Sequence, residues 1–362
     1  MMKEMKIIAF YLPQFHETEE NNKWWGKGFT EWTNVKSGRP LFKGHYQPKV
    51  PLNNNYYDLS NIAVMDEQAK LAKKYGVDGF CFYHYWFTGK KLLNKPLEEF
   101  VQNTDIDLSY CLSWANETWS RRWNGNEKEI LIKQEYGGEK EWEEHIQYLL
   151  QFFMDKRYLC IDNKPVLLLY RALEIPECQK MVTYWDSRLK QEGFNGIYII
   201  ETLNGAQTES HIENSDALAE FEPMFTIKTG TNIRTRIYRY LFNHLKLYRF
   251  GFKDCISYDM IWETILARKR NTGKKTYYGA FPEWDNVARR GKAGLIVRGG
   301  NPEKFEGYFK KQYDKSIEAG NEFLFINAWN EWGEGAYLEA DEKHKLGYLE
   351  AIKRVKGSTE QE

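Results

Sequence analysis

Short runs of β-branched and aromatic residues recur along the chain, separated by longer stretches whose apolar positions repeat with helical spacing. The runs predict strands at 6–12, 77–86, 108–114, 165–170, 197–201, 217–221, 276–281 and 322–328. The intervening pattern predicts helices at 59–75, 140–156, 176–191 and 302–319; Gly76, Gly193 and Gly320 stand where helices end. Eight strands alternating with helices call for parallel pairing, and closure at eight is the α/β architecture of a (β/α)8 TIM-type barrel. A doubly wound open sheet is the competitor, but no glycine-rich phosphate turn follows an early strand. Long connections follow strand 1 (13–56) and strand 6 (223–275), the second expected to hold two helices. In a barrel such loops lie at the C-terminal face and carry function. The pattern assigns 1–356 to one barrel domain and 357–362 to a disordered C-terminal tail.

Composition narrows the function. The 51 basic and 51 acidic side chains cancel, so no global positive field exists to neutralise a nucleic acid. Five cysteines without a CxxC pair do not form a disulfide framework; Cys81 and Cys111 fall in apolar runs and act as small hydrophobes. The start of the chain reads as neither signal peptide nor membrane span, and no run reaches the roughly 18 apolar residues of a spanning helix. A cytoplasmic location is the expectation. Aromatic residues, at 16%, include 13 Trp and 24 Tyr, many of them beside Asn, Glu, His and Arg rather than aliphatics. A sugar presents an apolar C–H face to stack on a ring and hydroxyls that need polar partners, so a carbohydrate is the expected ligand.

Each strand end on one side of the predicted barrel carries such groups. Strand 1 leads into Tyr11, Gln14 and His16; strand 2 into Tyr83, His84 and Trp86; strand 3 into Trp114, Asn116 and Glu117. Strand 4 ends at Tyr170, strand 7 leads into Trp284 and Asp285, and strand 8 into Asn330, Glu331, Trp332 and Glu334. Glu331 and Glu334 are the sharpest candidates. Three apart on a turn, they have Cβ atoms about 5–6 Å apart, and glycosidic cleavage uses two carboxyl groups, one protonated and one ionised. A carboxyl separation of about 5–5.5 Å favours retention of configuration. Trp329 and Trp332 can wall a sugar site and raise a carboxyl pKa by desolvation. A helix cap, or ion pairs with arginines, is the competing explanation.

Other groups carry less. Glu117 is a second candidate acid or a substrate contact; His84 and His16 are hydroxyl contacts or buried structural histidines. Arg121, Arg122, Arg289 and Arg290 either recognise an anionic sugar or pair with local carboxylates. Asp105 and Asp107 mimic a metal-binding DxD but precede a strand, at the wrong end of the barrel. No metal or cofactor is expected. Residues 233–250 form a basic amphipathic helix, either packed on the barrel with solvated arginines or making weak contact with a membrane or lipid-linked glycan.

Four ordered motifs resemble a known family: Trp24-Trp25-Gly26 with Gly28-Phe29-Thr30-Glu31-Trp32; Trp114-Ala115-Asn116-Glu117 with Arg121-Arg122-Trp123; Trp284-Asp285-Asn286 with Arg289-Arg290; and Asn330-Glu331-Trp332-Gly333-Glu334-Gly335. Together they are similar to the WbsX-like proteins found with bacterial surface-polysaccharide genes and often labelled glycosyltransferases. That family is related to the endo-α-mannosidases of glycoside hydrolase family 99. The resemblance implies a metal-independent (β/α)8 barrel in which Glu331 is a base on the substrate's own 2-hydroxyl and Glu334 the acid and base at the leaving oxygen. Trp32, in the first motif, is a further candidate substrate contact. Gly333 stands where those hydrolases tend to have histidine. A retaining hydrolase of an α-linked, mannose-containing glycan is the expected function; a surface-polysaccharide glycosyltransferase is the alternative, and a non-catalytic carbohydrate-binding protein the third reading.

Overall fold

A computed structural model describes residues 4–120, 129–270 and 273–359 of the chain. Its centre is a closed barrel of eight parallel strands: β1 (Lys6–Tyr11), β2 (Gly79–Phe87), β3 (Ser109–Trp114), β4 (Lys164–Leu169), β5 (Tyr198–Leu203), β6 (Ala217–Glu220), β7 (Lys275–Ala280) and β8 (Phe323–Ile326). Each strand pairs with the next, and β8 returns to β1 with Phe323 opposite Lys6 and Ile326 opposite Ala9. The (β/α)8 barrel predicted above is the fold.

Among the described residues, seven helices form the outer layer: α1 (Ile62–Lys74), α2 (Lys95–Gln102), α3 (Glu139–Phe153), α4 (Cys178–Gln191), α5 (Tyr258–Ala267), α6 (Pro302–Glu318) and α7 (Gly347–Thr359). Local chemistry sets their ends. The Asn61 and Asn301 side chains accept backbone N–H groups at the starts of α1 and α6, and Pro302 occupies the first turn of α6, where its missing donor costs nothing. Helix α3 buries Trp142, His145, Ile146, Leu149 and Phe152–Phe153, a stripe at helical spacing that lies on the barrel.

The structure departs from the expected pattern in three places. Residues 204–216, between β5 and β6, form a helix-free loop held by Glu201, which accepts hydrogen bonds from Gln207, Ser210, Ser215 and the backbone of His211 and Ile212. The long segment after β6 holds three α-helices rather than two: Met224–Thr229, Ile233–His244 and α5. Between the last two, strand Asp254–Ser257 pairs with Leu295–Arg298, a tertiary contact invisible to local periodicity. Finally, α7 continues through Thr359, past the expected boundary at 356.

Parity on the strands positions the site. Successive side chains of a strand point to opposite faces. Phe10, Tyr83, Phe221 and Phe325 meet inside the barrel, with ring centroids 5.1–5.7 Å from Phe10. Tyr11, Phe82 and Tyr110 face the helices instead, against Phe80 and Phe100. Burial of rings on both faces stabilises the barrel, at about 25 cal/mol per Å² of apolar surface.

Candidate active site

Beyond β8 the chain turns sharply at the C-terminal face. Asn330–Glu331 pairs antiparallel with Ala336–Tyr337 and encloses a 3-10 turn, Trp332–Glu334, closed by Gly335 at φ 61°. Glycine suits this left-handed position, and a Cβ there would also press on the Asp285 backbone at 3.0 Å. In a 3-10 turn residues three apart eclipse, so the Glu331 and Glu334 carboxyls project to one side. Asn330 ties the turn to the end of β1: its Oδ1 accepts the Leu12 N–H at 2.7 Å and its Nδ2 donates to the Leu12 carbonyl at 3.0 Å.

Both glutamates reach a single guanidinium. Arg289, on the short helix Val287–Arg290 after β7, donates from one terminal nitrogen to Glu331 and from the other to Glu334, each at 2.9 Å. Its Nε donates at 2.7 Å to Glu31, which starts helix Glu31–Ser37 in the first long loop and is wholly buried. Three carboxylates thus surround one cation. Burial raises the Glu331 carboxyl to about 8; Arg289 opposes that shift and the neighbouring glutamate charges reinforce it. Glu334 is raised for the same reasons, burial first. The same cluster holds the Arg289 guanidinium charged. Burial, with one guanidinium shared among three carboxylates, thus moves both carboxyls of the pair above the ordinary carboxylate range.

The pair opens on a cavity of about 530 Å³ at the barrel mouth. Glu334 is the more accessible, its side chain 24% exposed against 8% for Glu331. Tyr83, Tyr85 and Tyr170 line the wall, with Trp25, Trp119, Phe221 and Trp284; Gln14 and Glu117 add polar groups, and Glu117 is ion-paired with Arg171. Among the described residues no group of His, Cys, Asp and Glu has the arrangement to hold a metal ion.

A family model described as Glycosyltransferase WbsX matches residues 7–352. The chain belongs to the WbsX family. Two curated relatives, both called uncharacterized protein WxcX and from two strains of Xanthomonas campestris pv. campestris, are each 35% identical over 356 residues, 96% of this chain and 49% of theirs. This WbsX chain therefore spans about half the length of the curated relatives it matches. Among solved structures, the GH99 endo-alpha-mannosidase from Bacteroides thetaiotaomicron is 12% identical, with TM-score 0.55 over 99% of this chain and 98% of that one. A structure described as a glycoside hydrolase-like protein aligns with TM-score 0.60 at 13% identity, over 98% of this chain and 94% of its own. At such identities the likeness is one of fold.

The structure also sorts the remaining candidates of this WbsX chain. Gln14, Tyr83, Glu117, Tyr170, Trp284, Glu331 and Glu334 meet at the cavity. Four others lie on the wrong face of their strands for a sugar contact. Tyr11 donates to Gln68 of α1 at 2.6 Å, and His84 shares a 2.8 Å hydrogen bond with His145 of α3. Trp86 stacks flat on His145 at 4.6 Å and donates to Glu141; Trp114 packs edge-on against the same imidazole. Asn116 is consumed by the backbone of Arg171 and the Tyr136 hydroxyl. His16 bonds the Pro13 carbonyl, and Asp285 accepts from His45 and Gln47. Trp332, the first residue of the turn, packs on Trp32 from behind at 5.4 Å, stacks on Tyr337 at 3.7 Å and donates to Glu339. Asn330 is the strap to β1 described above. Arg121, Arg122 and Trp123 lie outside the described residues.

Two groups central to the cluster were undervalued in the sequence. Glu31 appears there only as a motif member, and Arg289 as one of four arginines that either bind an anionic sugar or pair with local carboxylates; the pairing is what the structure shows, and together the two complete the charge balance of the pair. Their ion pair occupies the space beside Gly333: a Cβ at 333 would lie 1.8 Å from Glu31 Oε1 and 2.7 Å from Arg289 Nε. A histidine at 333 is incompatible with this arrangement.

Proposed function

We propose that this WbsX-family chain is a retaining glycoside hydrolase of an α-linked glycan, with mannose-containing polymers the first substrates to test. One observation carries the reading: two carboxyls from a single turn share one guanidinium at the foot of a ring-lined cavity. The rings suit the apolar faces of sugars, and a carboxyl pair that retains one proton supplies an acid and a base together.

The roles follow from depth. Glu334, nearer the opening, protonates the leaving oxygen as the C1–O bond breaks. Glu331, deeper and held by Arg289, works in the form of the pair whose single proton sits on Glu334, and accepts the proton of the sugar's 2-hydroxyl as that oxygen closes on C1. Water, deprotonated by Glu334, then opens the resulting 1,2-anhydro sugar at C1, and the 2-oxygen recovers its proton from Glu331. Two displacements at one carbon retain the configuration.

Transfer from an activated sugar is the second reading, favoured by the description of the family. A phosphorylated donor needs cations at its phosphates; Arg289 is engaged by three carboxylates, and Lys228 and Arg290 are the other basic groups on the cavity wall. Incubating wild-type protein and Glu334→Gln with mannans and bacterial surface glycans, without and with sugar nucleotides, separates the two. Wild-type product without donor, lost in the variant, supports hydrolysis. Product only with donor overturns it.

A further inference from the structure

The segment after β6 carries a surface that the cavity chemistry does not use. Between Glu222 and Asp254 the chain has no acidic residue and seven basic ones, Lys228, Arg234, Arg236, Arg239, Lys246, Arg249 and Lys253, although the charges of the whole protein cancel. Of the ten exposed large apolar side chains among the described residues, seven fall within 233–252, so the apolar surface is concentrated here. Ile233 is 66% and Phe250 76% exposed.

The two features share one geometry. At about 100° per residue, Ile233, Ile237, Tyr240 and Leu241 of helix Ile233–His244 span an arc of about 100°. Arg236 and Arg234 border this arc on either side, and the buried Phe242 lies opposite it. Arg239, on the inner side, pairs with Asp254 and anchors the helix to the body. The helix therefore presents an apolar stripe rimmed by cations outward. It also sits at the barrel mouth: Lys228 lines both the central cavity and the groove beneath Arg236 and Tyr240.

We propose that residues 233–253 dock this protein peripherally on an anionic lipid bilayer, with the cavity opening beside the membrane surface. Charge complementarity selects the occupant. An apolar stripe with basic borders and no acid matches anionic headgroups above acyl chains. A second copy placed symmetrically would set these cations against one another.

Sedimentation of the full chain with vesicles tests this without any turnover assay. Vesicles holding roughly 30 mol% phosphatidylglycerol are expected to bind at least tenfold more protein than pure phosphatidylcholine, and raising salt weakens the binding. The double substitutions Ile237→Ser/Tyr240→Ser and Phe250→Ser/Phe252→Ser each lower it about tenfold with unchanged circular dichroism, and Arg234→Glu/Arg236→Glu lowers the anionic preference. Equal binding to both vesicle types, or binding indifferent to all three variants, overturns the proposal. Concentration-dependent self-association in ultracentrifugation, abolished by the serine variants, also overturns it and assigns the patch to a second copy.

Discussion

Replacing Glu331 by glutamine keeps the side chain's shape and its bond to Arg289 while removing its charge. Burial raises this carboxyl from its ordinary 4.5 to about 8. Between those values the native state holds a proton that the unfolded chain has released. The native state binds more protons there, so stability falls as pH rises through the window, and this one group's loss is complete above about 8. One pH unit corresponds to about 1.36 kcal/mol, so the window is worth on the order of 5 kcal/mol, nearly absent at pH 5 and complete at pH 9. Glutamine mimics the protonated acid and recovers that loss. With an unfolding entropy of about 2.1 cal/mol/K per residue, 1 kcal/mol moves the Tm of a chain this long by about 1–2 °C. Glu331→Gln should therefore melt about 6 °C above wild type at pH 9 and only about 1 °C above it at pH 5, by calorimetry or circular dichroism. Its turnover should fall about 10²–10⁴-fold. A variant that melts at or below wild type at pH 9, or a difference independent of pH, refutes the assignment of a proton to this pair.

Further expectations test the surroundings. Gly333→Ala drives a methyl group to within 1.8 Å of Glu31 Oε1; displacement of the Glu31–Arg289 pair should cut kcat more than tenfold, with a stability loss of about 1–3 kcal/mol in urea unfolding. Asn330→Ala strands the Leu12 N–H and carbonyl in the interior and should cost about 2–4 kcal/mol in the same assay. Burial lowers His84 to about 3 and pushes its partner His145 far below the ordinary range. The unfolded chain takes up these protons first, so stability should decline as pH falls below 6.5; a His84 ring proton titrating near 6.5 by NMR would contradict the buried pairing.

Local pattern carried a large part of this protein. Strand and helix alternate because apolar periodicity and helix caps act within a few residues, and eight such units without a glycine-rich phosphate turn point to a barrel. The three-residue spacing of Glu331 and Glu334 likewise survives folding, since a 3-10 turn holds its ends on one side. The inward or outward sense of each side chain was not legible. Every residue of β2 is buried, so its two faces are equally apolar in sequence, and Tyr83 and Tyr85 cannot be told from His84 and Trp86 until the barrel closes and α3 covers one side. Pairing of the glutamates with an arginine was among the readings of the chain, but not which arginine, nor that Glu31 would share it. Arg289 lies 258 residues from Glu31, and the pair fits beside the carboxyls in space that any side chain at 333 would fill.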